Sequence, residues 1–275
     1  MLLASRTDVT TDLAPYLSAG LVRRVWTDPA LRALGLSFSL PLLAILLAHE
    51  LGHYVACRRY GLPATLPYFL PLPAMPGTMG AFIRIKAPLA SRRQLFDVGF
   101  AGPAAGFVTL LPFLLLGIAR SRIAAIPIHA GSSLLLPGRC LAIQWTTLLF
   151  HRPLRAGETL DLHPFALAAW LGLLATALNL LPLSQLDGGH ILYAAAGRRQ
   201  RLVALPCWLA LVLAGRAWPG WWLWCAIVLV MGLEHPPLVE EATPLGATRR
   251  GLALVALAML VLAFMPVPLR WVGPP

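Results

Sequence analysis

The chain has 275 residues, of which 58% are hydrophobic and only 12% are charged, and its mean hydropathy is +0.74. A soluble globular domain carries about 25% charged and about 45–50% apolar residues, so this composition excludes an ordinary soluble domain. The net charge of +11 comes from short arginine clusters between apolar runs and not from a basic stripe, which argues against nucleic acid as a partner.

Six apolar stretches follow a polar N-terminal segment at residues 1–33. Crossing the hydrocarbon core of a bilayer takes about 20 apolar residues, and several stretches approach that length. The sequence therefore predicts an all-α polytopic membrane protein with about six transmembrane helices. We expect one membrane-embedded domain over residues 34–267 and a C-terminal tail over 268–275. No cleavable signal is evident at the start. The apolar stretches lie near residues 34–57, 95–118, 164–183, 202–215, 220–233 and 250–267.

Residues 80–86 alternate with the period of a β-strand. Ile83 and Ile85 alternate with Phe82 and Arg84, which predicts a small β segment at the membrane edge. A free edge of that strand could pair with an unwound peptide segment of another protein and satisfy that segment's backbone groups. The alternative is a surface hairpin that only anchors the chain through its basic side chains, and the pattern does not choose between the two.

The first apolar stretch contains the motif His49-Glu50-Leu51-Gly52-His53. Histidines at positions i and i+4 share one helix face, so two imidazoles can bind one tetrahedral zinc ion. Glu50 directly follows the first histidine and can act as the general base on a water molecule at the metal. The alternative is a pair of hydrogen-bonded histidines inside a helical bundle. It is weak because ionisable groups in a membrane span are costly and usually functional.

A catalytic zinc site takes three protein ligands and leaves one position open, so a third ligand is needed. Asp187 lies at the end of an apolar stretch, after the helix-breaking Pro182 and before Gly188 and Gly189, which allow close backbone approach. The carboxylate of Asp187 could therefore reach the zinc. His190, three residues further on, could support that ligand or replace it.

Smaller features near these motifs have simpler interpretations. Cys57 continues the histidine face of the helix, and a thiol packed in the bundle is favoured over a ligand. Gly102 and Gly106 have the small-xxx-small spacing that lets helices approach closely in lipid, and they could also form a wall of the site. Arg93 and Asp97 are predicted to anchor the chain at the membrane interface.

Together the motifs resemble those of the site-2 protease family of intramembrane zinc metalloproteases. The resemblance rests on residues 49–53, on Asn179 together with residues 186–189, and on the glycine-rich run at residues 99–106. It covers most of the chain, from residue 34 to residue 267. A helical membrane domain is the fold that this resemblance implies.

The resemblance also implies a role for each matched residue. His49, His53 and Asp187 would be the zinc ligands, and Glu50 would be the catalytic base. Asn179 matches an asparagine that holds substrate or stabilises the oxyanion in the family.

Two departures from the family's commonest pattern stand out. Residues 183–185 read Leu-Ser-Gln before the Leu-Asp-Gly-Gly motif, where the short Asn-Pro-Asp-Gly form is commoner. Residues 119–163 are too few for the inserted PDZ domain that many relatives carry, so a member without that domain is expected.

The resulting functional hypothesis is hydrolysis of peptide bonds in or near transmembrane segments of other membrane proteins. Its partners would be a transmembrane protein substrate and the lipid bilayer, and its location a bacterial cell membrane. The alternative is an ion-binding transporter or a non-catalytic membrane scaffold, since these also place His, Glu and Asp in spans. The protease is favoured because a transporter does not need a glutamate directly after the first of two i, i+4 histidines.

Overall fold

A computed structural model describes residues 26–71, 78–126, 134–236, 238 and 244–272. The predicted polar N-terminal segment at residues 1–33 lies outside the described residues except for 26–33. The first helix, α1 (Pro29–Arg59), begins where the Asp28 carboxylate accepts hydrogen bonds from the backbone N–H groups of Ala30 and Leu31. Proline at the first helical position suits this start because its fixed φ matches the helix and it has no N–H to satisfy.

Helices α1 and α2 (Arg92–Arg120) are both long and apolar enough to cross a membrane. They have 31 and 29 residues, which at about 1.5 Å per residue exceeds the hydrocarbon thickness of about 30 Å. Their outer faces remain apolar: the side chains of Leu40 and Val108 are 59% and 67% exposed. Such contiguous apolar surface is unfavourable in water and suits contact with lipid tails.

The other α-helices are shorter than a full membrane span. They have 10 to 17 residues, so the mostly helical architecture is confirmed whereas the prediction of about six transmembrane helices is not. Breaks at Pro182 and at the turn over residues 215–219 divide the apolar stretches before they reach span length. These helices are α3 (Leu141–Phe150), α4 (Pro164–Leu180), α5 (Asp187–Ala196), α6 (Arg201–Ala214), α7 (Gly220–Met231) and α8 (Ala247–Ala263), with a 3₁₀ turn at Gly197–Gln200.

Within the described residues, three antiparallel strand pairs lie between the helices, where the sequence predicted a single β segment. The predicted segment at residues 80–86 is a strand only as far as Phe82, and it pairs with the strand before it. The other two pairs include short parts of the segment 119–163 and residues 269–272 of the predicted tail. The pairs are β1 (Tyr68–Pro71) with β2 (Thr78–Phe82), β3 (Arg122–Ala125) with β5 (Glu158–Asp161), and β4 (Leu134–Pro137) with β6 (Leu269–Val272).

The packing of α1 on α2 forms the centre of the molecule, and α4 and α5 pack beside them. Gly52 of α1 lies so close to the Ala101 carbonyl of α2 that a β-carbon there would overlap it. Ile45, Leu110 and Leu173, from α1, α2 and α4, fill the core below this contact. Close helix approach of this kind is typical of small residues at helix interfaces in membranes.

Hydrogen bonds between polar side chains connect α8 to the C-terminal end of α1 and the N-terminal part of α2. The Arg249 guanidinium donates to both oxygens of the Asp97 carboxylate, at 2.8 Å and 2.7 Å, and the Tyr60 hydroxyl donates to the same carboxylate. Arg93, on the same helix as Asp97, donates to the carbonyl of Pro244 just before α8. Asp97 and Arg93 thus hold helices together, in keeping with a structural role.

Candidate metal centre

Helix α1 places His49 and His53 one turn apart on the face that packs against α2. Each residue is only 8% exposed. Their Nε2 atoms lie 3.1 Å apart, and the two rings meet edge to face. The i, i+4 spacing thus brings two nitrogens to one point, as the sequence predicted.

A sharp break after α4 brings Asp187 to the same point. Helix α4 ends at Leu180, two residues before Pro182, and Asp187 is the first residue of α5. Its Oδ2 atom lies 3.3 Å from Nε2 of His49 and 3.4 Å from Nε2 of His53. The break therefore unites residues that are more than a hundred positions apart in the sequence.

The Gly188–Gly189 pair allows this tight junction between α4 and α5. A β-carbon on Gly188 would overlap the Leu180 carbonyl, and one on Gly189 would overlap the Ser184 carbonyl. Only glycine permits such an approach of backbone to backbone. The pair thus sets the position of the Asp187 side chain.

Three glycines of α2 form the wall behind the cluster. A β-carbon on Gly102 would overlap the His53 ring, and one on Gly99 would press on His190. One on Gly106 would meet the His49 side chain at 3.2–3.4 Å. The glycine spacing that the sequence associated with helix packing also makes room for the two imidazoles.

The orientation of the His53 ring is fixed by a backbone carbonyl. Its Nδ1 atom lies 2.7 Å from the Val98 oxygen, and a carbonyl can only accept, so Nδ1 carries the proton. In the neutral ring Nε2 then has a free lone pair directed at the cluster. Metal-binding histidines usually hold their second nitrogen in this way.

These donors fit a zinc ion. His49, His53 and Asp187 each offer one ligand atom, and those atoms lie within 4.8 Å of one another. Zinc–ligand bonds of about 2.0–2.2 Å in a tetrahedron place ligand atoms about 3.3–3.6 Å apart, close to the observed separations of 3.1 to 3.4 Å. Acceptor atoms converging so closely repel one another unless a cation lies between them.

Glu50 stands beside this cluster without belonging to it. Its Oε2 atom accepts a hydrogen bond of 3.0 Å from the backbone N–H of Ile83, just beyond β2. The carboxylate is therefore held near the histidines by the hairpin β1–β2. The sequence indicated Glu50 and placed Ile83 in a strand, but it gave no sign of the contact between them, because a backbone donor leaves no trace in residue type.

Asn179 and His190 lie outside the three-residue cluster. Asn179 is in the last turn of α4, and no hydrogen bond in the described part of the chain joins its side chain to the cluster. The His190 ring packs on His235 at 4.9 Å, and its buried Nδ1 has no hydrogen-bond partner among the described residues. Burial lowers the pKa of His190 to about 4, which keeps the ring neutral.

Comparison with known proteins places the cluster in a family. The model of peptidase family M50 matches residues 37–213, which include all the predicted site residues. The chain is 32% identical over 232 residues to "Probable zinc metalloprotease EGY1, chloroplastic" of Arabidopsis thaliana, covering 82% of this chain and 42% of that protein. It is 29% identical to the EGY1 protein of Oryza sativa subsp. japonica, covering 82% of this chain and 39% of that protein. With "Probable zinc metalloprotease EGY2, chloroplastic" of Arabidopsis thaliana the identity is 30%, over 87% of this chain and 43% of that protein.

The chain thus spans less than half the length of these curated relatives. The prediction of a bacterial cell membrane is wrong by this comparison, since the relatives are named as chloroplastic plant proteins. Hydropathy could not show this, because about 20 apolar residues span a bacterial and a chloroplast membrane alike. Zinc as the cofactor is confirmed by the relatives' names and the cluster of donors. The matched family and the geometry of the cluster show that the chain belongs to peptidase family M50, the site-2 protease family of zinc metalloproteases.

Proposed function

We propose that this protein is an intramembrane zinc metalloprotease that hydrolyses peptide bonds in or near transmembrane segments of other membrane proteins. The observation that carries the proposal is the convergence of His49, His53 and Asp187 within 3.4 Å, with Glu50 next in sequence to the first histidine. Family M50 acts on membrane-protein substrates in the bilayer, which supports the substrate class.

Each residue has a defined part in this proposal. His49, His53 and Asp187 would hold the zinc, which supplies Lewis acidity that polarises a carbonyl and makes water nucleophilic near neutral pH. Glu50 would take the proton from the attacking water and pass it to the leaving amine. Asn179 would hold the substrate or stabilise the oxyanion, a role carried over from the family resemblance alone.

The surroundings of the cluster suit hydrolysis of a membrane-embedded peptide. Both histidines are buried in α1, a helix long enough to cross the bilayer, so the reaction would take place among apolar side chains. A helical substrate must unwind locally, because its amides are otherwise hydrogen-bonded and shielded. An ion transporter would also place such residues in a span, but it has no use for a base beside a three-donor site.

The test is cleavage of model transmembrane peptides by the purified full chain in liposomes, before and after removal of metal with a chelator. We expect cleavage to stop when the metal is removed and to return when about one equivalent of zinc is added. Magnesium should not restore it, because Mg²⁺ prefers octahedral oxygen ligands. Undiminished cleavage by the metal-free protein would contradict the proposal. Ion flux across the liposome membrane by the zinc-loaded protein, without any cleavage, would also contradict it.

A further inference from the structure

The contact between Ile83 and Glu50 has a consequence for catalysis. We propose that the backbone N–H of Ile83 is a positioning group that fixes the Glu50 carboxylate for proton transfer. This inference rests on the proposed function, in which Glu50 is the base. The Ile83 N–H lies 3.0 Å from Oε2 of Glu50, across 33 residues of sequence.

The segment that carries Ile83 is fixed to the end of the helix that carries Glu50. The N–H of Arg84 donates to the Thr65 hydroxyl at 2.9 Å, and the N–H of Thr65 donates to the Arg84 carbonyl at 3.0 Å. One residue further on, Ile85 forms a bridge with Ala64. These bonds connect the hairpin to the chain leaving α1, so the Ile83 N–H has a fixed distance from Glu50.

The Glu50 carboxylate needs such a partner to keep one orientation. A glutamate side chain has three rotatable bonds and loses considerable freedom when it is held in place. Among the described residues, the Ile83 N–H is the hydrogen-bond donor to this carboxylate. Because the bond engages Oε2, Oε1 remains available to accept a proton from water.

The same contact changes the interpretation of the predicted substrate-binding edge. The Ile83 N–H is already engaged by Glu50, so it is not available for pairing with a substrate strand. The N–H of Ile85 is different. In its antiparallel bridge with Ala64 the flanking bonds are made by Arg84 and Lys86, so the Ile85 N–H points away from Ala64.

This difference provides a matched pair of variants. Ile83→Pro removes the donor to Glu50, whereas Ile85→Pro makes the same substitution two residues away at an N–H outside this contact. Cleavage should be measured in liposomes as kcat and KM, together with zinc content. We expect Ile83→Pro to lower kcat by about 10- to 100-fold, as befits loss of a hydrogen bond to a charged group, with KM changed less than about twofold. Ile85→Pro should keep kcat within about twofold of the wild type, because the donor to Glu50 is still present.

Ile83→Ala is the conservative variant, since it shortens the side chain and keeps the N–H. Its kcat should exceed that of Ile83→Pro by at least about tenfold. A raised KM with unchanged kcat in Ile83→Pro would overturn the inference and assign the segment to substrate binding. Equal kcat losses in both proline variants would also overturn it, because the loss would then come from a disrupted hairpin.

The reference variant Glu50→Gln separates failure of this inference from failure of the proposed function. If Glu50→Gln is inactive while Ile83→Pro cleaves at the wild-type rate, Glu50 is the base and Ile83 does not position it. If Glu50→Gln itself cleaves at the wild-type rate, Glu50 is not the base and the inference falls with that assignment. If the zinc-loaded wild type does not cleave at all, the proposed function is wrong.

Discussion

Replacing Gly102 by alanine should disturb the metal centre through a single methyl group. A β-carbon at this position would lie closer than 3.0 Å to three atoms of the His53 ring, among them Nε2. Real β-carbons essentially never make such contacts, so the ring or the helix must move. His53 cannot simply turn away, because its Nδ1 is bound to the Val98 carbonyl on the same helix as Gly102.

The required movement is large compared with the tolerance of a zinc site. An ordinary van der Waals contact begins near 3.4 Å and the β-carbon would lie 2.1 Å from Nε2, so Nε2 must retreat by about 1.3 Å, whereas zinc–ligand distances hold within about 0.2 Å. Mutating a group that hydrogen-bonds to a metal ligand lowers metal affinity by about 10- to 100-fold, and displacing the ligand itself should lower it by at least about 100-fold. We therefore expect Gly102→Ala to weaken zinc binding by about 100-fold or more.

The assay is a competitive zinc titration of purified protein in detergent, with two matched controls. Gly106→Ala would meet the His49 side chain at 3.2–3.4 Å, a contact that small shifts relieve, so its zinc affinity should fall far less. Gly35→Ala has nothing within 4 Å and should bind zinc like the wild type. Wild-type zinc affinity in Gly102→Ala, with the protein still folded by circular dichroism, would show that Gly102 does not make room for the His53 ring.

The remaining predictions concern the third ligand. Asp187→Ala removes one of three converging donors, so zinc affinity should fall by more than about 100-fold in the same titration. His190→Ala should change it by less than about tenfold, because the His190 ring lies outside the cluster and its buried Nδ1 is unpaired among the described residues. Loss of zinc from the His190 variant alone would assign the third ligand to His190.

The cluster of candidate metal ligands could be predicted from the sequence because most of the signals that identify it are local. His49 and His53 lie one helical turn apart whatever the fold, and the charge of Glu50 inside an apolar stretch already indicates function. Asp187 is distant in sequence, but Pro182 and the following glycine pair mark a break in the chain. The histidine spacing, the charge inside an apolar stretch and the chain break can all be recognised from residue type and spacing alone.

The supporting atoms could not be predicted because they belong to the backbone. The Val98 carbonyl and the Ile83 N–H exist at every residue of any chain, and only tertiary packing brings them to His53 and Glu50. Helix lengths were also uncertain, since hydropathy does not show how far an apolar stretch remains helical. The strand pairing of β4 with β6 joins segments more than a hundred residues apart, which no local pattern specifies.

Zinc-dependent hydrolysis with Glu50 as the base is tested most directly by comparing the wild-type protein with Glu50→Gln at equal zinc content, with one transmembrane peptide as substrate in liposomes. Glu158→Gln is the matched control, because Glu158 forms an ion pair with Arg152 at a site remote in sequence from the cluster. We expect Glu50→Gln to retain its zinc and lose about 10²- to 10⁴-fold in rate, whereas Glu158→Gln should cleave normally. Cleavage by zinc-loaded Glu50→Gln at the wild-type rate would contradict the assignment of Glu50 as the base.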